Sequence, residues 1–185
     1  MEQLENSRFD AVVCYGGPLS YVFDRRNTAL GEMLRVLKPN GKILISVMSL
    51  WGSIRKLLPR TLESSIEDNA NLVITGDLCP QNLQGATHHC HLFKAKELSE
   101  LLEKNNTKVL AMSASNCLSA DWGERLLEVR QNATKWHKLL KMELEASKQP
   151  GCLDLGTHLI AVAKKHFGTR GSASLSRSAI EPQKM

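Results

Sequence analysis

Aromatic residues and long hydrophobic runs are both scarce in this 185-residue sequence. Phe, Trp and Tyr make up 5% of the chain and do not alternate with basic side chains, so nothing indicates a nucleic-acid surface. No apolar run approaches the ~20 residues that a membrane-spanning helix requires. The first ten residues are polar and carry no apolar segment of the kind that a secretory signal needs. These absences predict a cytoplasmic protein without a membrane segment, with a nuclear location left open.

Paired cysteines are also missing. The five cysteines are odd in number and widely scattered, at positions 14, 79, 90, 117 and 152, a pattern that favours reduced thiols over a disulfide framework. Hydrophobic residues make up 42% of the chain and the net charge is +5. A chain of this length and composition can form one domain with a hydrophobic core.

The strongest local pattern lies between Phe9 and Val47. A short apolar run, Ala11–Cys14, is typical of a strand buried on both faces of a parallel sheet, and Gly16-Gly17-Pro18 ends it. A helix capped by Asp24 is expected next, with apolar residues at helical spacing. A turn at positions 39–41 and a second apolar strand, Lys42–Val47, complete a βαβ unit.

The amino-acid sequence of this unit resembles one segment of the class I S-adenosylmethionine (SAM)-dependent methyltransferases of the type 11-like group. Positions 32–41, E-M-L-R-V-L-K-P-N-G, are similar to the turn between that family's fourth and fifth strands. Asn40 replaces a glycine there, and Asn tolerates the left-handed conformation. The segments at 91–102 and 156–165 resemble the family's next helix and its closing strand, so the resemblance runs from about Phe9 to Lys165.

The resemblance implies an α/β fold with a partial Rossmann-like sheet, in which a final strand inserts antiparallel between the two preceding ones. It also implies a truncated methyltransferase domain over residues 1–166. Residues 167–185 are rich in Gly and Ser without apolar periodicity, which predicts a disordered tail.

The family binds SAM mainly through an acidic, glycine-rich D-x-G-x-G loop after its first strand, and no such loop occurs in these 185 residues. We therefore expect the sheet to lack the N-terminal cofactor-binding βα units, and this chain alone to bind SAM weakly or not at all and to catalyse no methyl transfer. The resemblance places Gly16, Gly17, Leu19 and Ser20 beside the cofactor. It gives Met48 and Ser49 as residues lining the pocket of an acceptor that the sequence does not identify.

Four side chains able to bind a metal follow one another at positions 88–91, H-H-C-H. In an extended segment His89 and His91 face one way while His88 and Cys90 face the other, and two ligands per face do not complete a site. We therefore predict no metal site. His88 or His91 could instead contact substrate or act as a general base, although a structural histidine is the favoured interpretation.

A single long helix is expected over residues 121–147, because apolar side chains recur there at helical spacing. They are Trp122, Leu126, Val129, Ala133, Trp136, Leu140 and Leu144. The favoured interpretation packs this stripe on the domain's own sheet, and the alternative is a dimer or partner interface. The strand at positions 11–14 is expected to form an open sheet edge. These two surfaces support the competing hypothesis, a non-catalytic truncated isoform or pseudoenzyme that acts through protein–protein interaction.

Overall fold

The computed structural model describes residues 4–81 and 88–166, so the expected disordered tail at 167–185 lies outside the described residues. The strands are β1 Phe9–Cys14, β2 Leu37–Met48, β3 Asp77–Leu78, β4 Cys90–His91, β5 Thr107–Ser115 and β6 His158–Lys165. The helices are α1 Arg26–Val36, α2 Leu50–Lys56, α3 Leu58–Leu62, α4 Ile66–Thr75, α5 Ala95–Lys104, α6 Glu124–Gln131, α7 Ala133–Ala146 and α8 Pro150–Leu153. Two 3₁₀ turns, Pro18–Tyr21 and Phe23–Arg25, connect β1 to α1.

Four strands form a mixed sheet in the order β1-β2-β6-β5. β1 and β2 run parallel, as a βαβ unit requires. β6 runs antiparallel to both of its neighbours, β2 and β5. The expected insertion of the closing strand between the two preceding strands is therefore confirmed. β3 and β4 form a separate two-stranded antiparallel pair.

The hydrophobic core lies on one face of this sheet, where α1 and α5 pack. It contains Leu30, Met33 and Leu34 of α1, Leu98 and Leu102 of α5, and the alternate strand residues Ile43, Ile45, Val47, Leu159, Ala161 and Ala163. Burial of each large aliphatic side chain contributes about 1.5–3 kcal/mol to the free energy of unfolding. The helical spacing of apolar residues expected for the helix after β1 is confirmed by the buried residues of α1.

The turn expected at positions 39–41 is wrong, because β2 begins at Leu37 and contains these positions. Asn40 lies where the pairing of β2 with β1 is irregular, and its φ of 63° is the left-handed conformation that Asn tolerates. Asp24 does not cap α1, because the 3₁₀ turn Phe23–Arg25 contains it and Arg25 occupies the N-cap position.

β1 is an edge strand in the described part of the chain, paired only with β2. The expectation that it is buried on both faces is wrong, since Val13 is 65% exposed and the strand contains no fully buried residue. Among the described residues β1 has no partner on its other side, as the sequence analysis expected of an edge strand.

The single helix expected over 121–147 is wrong. The chain leaves helical geometry at Asn132, whose φ and ψ are −106° and 104°, and its side chain accepts a hydrogen bond from the Lys135 amide at 2.9 Å. The side chain thus caps α7, as Asn does well at this position. The expected packing of the stripe on the sheet is also wrong, because Leu140 and Leu144 are 47% and 58% exposed while Leu139 turns inward.

Gly52 allows α2 to approach the backbone just before β6. A Cβ atom at Gly52 would lie 1.8 Å from the Gly156 carbonyl oxygen, so this close backbone contact requires glycine. Among the described residues, no helix is long and apolar enough to cross a lipid bilayer.

Candidate functional site

The carboxyl ends of the parallel strands β1 and β2 lie side by side, and we refer to the space outside these two strand ends as the crevice. Ligands of open α/β sheets bind outside such strand ends. Immediately after β1, Gly16 and Gly17 have φ values of 87° and 84°, a conformation that glycine adopts without strain. A Cβ atom at Gly16 would meet nothing within 4 Å, while one at Gly17 would lie 3.5 Å from Met48 Cγ. The turn therefore presents bare backbone to the crevice and packs against the end of β2.

The two residues that follow the turn are buried. Ser20 is fully buried; its amide donates to the Gly17 carbonyl at 2.9 Å, and its hydroxyl accepts from the Met48 amide at 3.0 Å. Leu19 is also buried and belongs to the hydrophobic core. The structure brings the four predicted cofactor residues together in one turn, but the side chains of Leu19 and Ser20 point into the protein and fix that turn to β2.

Met48 connects the turn to two aromatic rings. The Tyr21 hydroxyl donates to Met48 Sδ at 3.4 Å, and the His88 ring lies 5.6 Å from the Tyr21 ring, centroid to centroid. His88 therefore lies at the mouth of the same crevice. The sequence did not single out Tyr21 as a site residue, although its place directly after the glycine turn was an available signal.

Ser49 lies next to Met48 but has a different environment. It is fully buried; its hydroxyl donates to the Asp154 carbonyl at 2.8 Å and accepts from the Gly52 amide at 3.4 Å. Ser49 thus caps α2 and joins it to the segment before β6. Both hydrogen bonds are structural, and Met48 is the member of this pair that faces the crevice.

His158 is a second residue that sequence reasoning missed. It is the first residue of β6 and lies directly opposite Met48 in the antiparallel register, so the two side chains emerge on the same face of the sheet. Burial and the nearby Lys56 ammonium lower the pKa of His158 below its usual value. Its imidazole is therefore neutral near pH 7 and can accept a proton. The signal in the sequence was its place at the start of an apolar strand.

His91 lies in a cluster of charged side chains. Its Nδ1 is 2.6 Å from Asp77 Oδ1 and its Nε2 is 2.6 Å from Glu97 Oε1, and the side chain is 6% exposed. Arg26 lies 3.9 Å from the same two carboxylates. The ring also makes an edge contact with Phe93, with centroids 4.6 Å apart.

Three elements position this cluster. Asp77 faces His91 in the β3–β4 register, Glu97 is in the first turn of α5, and Arg26 begins α1. The His91 ring thus lies between two carboxylates, and the Arg26 guanidinium lies near both of them. Both ring nitrogens of His91 contact carboxylates, so the geometry favours a structural role for this histidine. A role of His91 as a general base stays a prediction.

Two thiols near these sites, those of Cys90 and Cys14, have raised pKa values. Burial raises the pKa of the Cys90 thiol to about 11, with Cys79 and Asp77 adding to the effect. Burial also raises the pKa of Cys14, although a hydrogen bond from the Leu19 backbone acts in the opposite direction. Within residues 4–81 and 88–166, no group of three His, Cys, Asp or Glu side chains is arranged to hold a metal ion.

The mixed sheet, with a last strand inserted antiparallel and a crevice at the carboxyl ends of β1 and β2, is the Rossmann-like fold of SAM-dependent methyltransferases. Residues 1–45 match the family model described as a methyltransferase domain. The resemblance noted in the sequence is therefore confirmed for this segment and for the fold. No curated protein sequence matches the chain.

Several solved structures of methyltransferases are similar to this chain. A SAM-dependent methyltransferase from Methanosarcina mazei shares 17% identity with a TM-score of 0.52, over 89% of this chain and 63% of its own. A Mesorhizobium loti S-adenosylmethionine-dependent methyltransferase shares 13% identity with a TM-score of 0.49, over 88% and 64%. The 1,6-didemethyltoxoflavin-N1-methyltransferase of Burkholderia thailandensis, which holds 1,6-didemethyltoxoflavin and S-adenosylhomocysteine, shares 16% identity with a TM-score of 0.47, over 90% and 48%. The chain thus spans about half to two thirds of the length of these proteins.

Proposed function

We propose that this chain is part of a SAM-dependent methyltransferase and supplies the β1–β2 side of its cofactor and acceptor site. One observation supports the proposal. Residues 1–45, which match a methyltransferase domain, include the glycine turn that packs against Met48 at the crevice. SAM supplies the methyl group from its sulfonium when bound. The acceptor is a small molecule or a protein that the crevice does not identify.

The residues of the crevice fit one end of that cofactor. The bare backbone at Gly16 leaves room for close approach, and the Tyr21 hydroxyl and Met48 sulfur border the same space. We assign these three residues to the methionine end and the acceptor, and His158 to proton acceptance from an acceptor group. The acidic, glycine-rich loop that the family uses for the rest of SAM is absent from these 185 residues.

This partial site leads us to propose weak cofactor binding and no turnover by residues 1–185 alone. Methyl transfer requires the acceptor atom to be held in line with the sulfonium, and such positioning is worth up to ~7–11 kcal/mol in well-oriented reactions. One side of a site cannot hold both reactants in that geometry.

The test is an NMR titration of the isotope-labelled chain with S-adenosylhomocysteine, after circular dichroism has verified that the chain is folded. We expect millimolar binding, with shift changes confined to Gly16, Gly17, Tyr21, Met48 and His158. A Tyr21→Phe variant should weaken the response and a Tyr15→Phe variant should leave it unchanged. Micromolar binding would overturn the proposed weakness of the site. No response from a folded chain, or shifts elsewhere, would overturn the assignment of the crevice.

A second candidate function is supported by a specific observation. The β1 edge is open and apolar, with Val13 65% exposed, and the α6–α7 surface exposes Leu127, Met142 and Leu144. Exposed apolar area of this kind is typical of a surface that binds another protein. We propose a non-catalytic role through β1 or α6–α7 as the alternative, favoured if the folded chain shows no response to S-adenosylhomocysteine.

A further inference from the structure

Three lysines stand in one row across the sheet, at the end opposite the crevice. Lys42 of β2 lies directly opposite Lys164 of β6, and Lys164 lies directly opposite Lys108 of β5. Cross-strand partners in antiparallel register point to the same face, so the three ammonium groups share one face of three adjacent strands. Two strand spacings of about 4.8 Å give the row a length of roughly 10 Å.

This arrangement is unfavourable without a counterion. Like charges directly opposite each other destabilise a sheet, and here the central lysine has a like charge on each side. In the part of the chain that the structure describes, the ion pairs of lysines involve Lys38, Lys96, Lys104 and Lys148, and none involves the three lysines of the row. Asp10, the acidic residue of the adjoining strand, is already held by Lys38 at 2.9 Å.

A cavity adjoins the row. It has a volume of about 350 Å³ and is lined by Asn40, Lys108, Leu110, Lys164, Lys165 and His166, with no acidic residue among them. Lys165 is already engaged, because its ammonium donates to the Leu34 and Leu37 carbonyls at 2.7 and 3.0 Å. Lys164 and Lys108 are the cations that remain at this cavity, with Lys42 continuing the row.

We propose that the lysine row binds an oligophosphate anion. Lysine binds phosphate as a point charge with three donors, and a linear chain of phosphate groups carries negative charge along a length comparable to the row. The binding would remove the repulsion within the sheet, so it would stabilise the fold as well as occupy the cavity. The site is independent of the proposed methyltransferase crevice, since it lies at the other end of β2.

The test is thermal unfolding of residues 1–185 in tripolyphosphate, compared with NaCl at equal ionic strength. At about a hundredfold excess over Kd, we expect the Tm of the native chain to rise by about 5 °C or more. Lys164→Thr should abolish this rise, and without the anion this variant should melt at or above the native Tm because the repulsion is gone. The control Lys96→Gln, an exposed helical lysine outside the row, should retain the full response.

Three outcomes would overturn the proposal. The first is that tripolyphosphate has no more effect than NaCl, and the second is that it stabilises the native chain and Lys164→Thr equally. A single-stranded oligonucleotide could also stabilise the chain where tripolyphosphate does not, which would make the row a nucleic-acid surface. If Lys164→Thr fails to fold, Lys42→Thr and Lys108→Thr at the ends of the row replace it, and each should reduce the response.

Discussion

Gly17 is a residue whose backbone conformation can be tested directly. Its φ is 84°, and a Cβ atom at this position would contact Met48. A residue other than glycine would be held in the left-handed region, which costs about 1–3 kcal/mol. We expect Gly17→Ala to lower the free energy of unfolding by about 1–2 kcal/mol, measured by urea denaturation. The turn, with its hydrogen bond to Ser20, should loosen.

Gly31 provides the matched control for that substitution. It lies inside α1, and a Cβ atom there would meet nothing within 4 Å. Gly31→Ala should raise the free energy of unfolding by about 0.5–1 kcal/mol, because alanine is the better helix former. Equal effects of the two substitutions would contradict the assigned backbone conformation of Gly17.

His158 gives a prediction about pH. Because burial and Lys56 lower its pKa, the folded chain should protonate this imidazole at lower pH than an unfolded chain does. The stabilising contribution of neutral His158 is complete above the ordinary histidine pKa and declines as pH falls through the folded value. NMR titration of the His158 ring protons in the folded chain measures this, with the urea-unfolded chain as the reference. A His158 midpoint in the folded chain at or above that of the unfolded chain would refute the assignment.

The residues of the crevice were only partly predictable from sequence. The pair Gly16-Gly17 after an apolar run indicates a turn on composition alone. That the Ser20 hydroxyl accepts from Met48, or that His158 lies opposite Met48, depends on contacts between strands far apart in the chain. Such long-range pairing leaves no trace in local residue spacing, so the local position of His158 at the start of an apolar strand was not enough to identify it as a site residue.

At the scale of elements, the carboxylate of Glu143 joins α7 to the loop after β5. It accepts hydrogen bonds from the amides of Cys117, Leu118 and Ser119 at 2.9, 3.2 and 2.7 Å. Burial alone would raise the pKa of Glu143, but the hydrogen bonds from Ser119, Leu118 and Cys117 together lower it. The charged form is therefore the one that the loop recognises.

Glu143→Gln should destabilise the protein by about 1–3 kcal/mol at pH 7, since hydrogen bonds to a charged acceptor are lost and an amide NH₂ meets backbone donors. The pKa of this carboxyl is lower in the folded chain, so its stabilisation is present above the ordinary glutamate pKa and is lost as pH falls through the folded value. Chemical denaturation at pH 7 and pH 3 measures both effects, and Glu145→Gln is the exposed control. A pH-independent difference between Glu143→Gln and the native chain would count against this role.

The break at Asn132 shows where periodicity stops being informative. Apolar residues continue at helical spacing through positions 122–144, so the pattern alone predicts one helix. A single Asn side chain can instead cap a new helix by accepting from the Lys135 amide, and this local hydrogen bond competes with continuation of the first. In α7, Leu139 is buried and Leu140 is exposed.

At the scale of the whole molecule, the open β1 edge predicts self-association. Val13→Lys should reduce it, because a lysine on an edge strand opposes pairing with another chain. Sedimentation velocity over a range of concentrations measures the effect. Leu62→Lys, at a position that is 73% exposed on α3, is the control for added charge alone. Equal reduction by both substitutions would point to general repulsion and away from the β1 edge.

The topology was the part of the whole that the sequence predicted best. The sequences at positions 32–41 and 156–165 resemble the methyltransferase family and indicated a pair of parallel strands and an inserted last strand. The sheet contains both. The exposure of β1 could not be inferred from its composition, because Ala-Val-Val-Cys is equally typical of a central strand. Burial depends on neighbours that a local run of residues does not encode.

The place of β6 in the sheet has a consequence for synthesis of the chain. β2 and β5 do not touch in the sheet order; β6 separates them, and it is the last described strand to be made. During translation both strands therefore emerge without their shared partner, and each exposes backbone donors and acceptors until residue 165 has left the ribosome. We expect ribosome-bound chains that expose residues 1–150 to be digested by protease far faster than chains that expose residues 1–166.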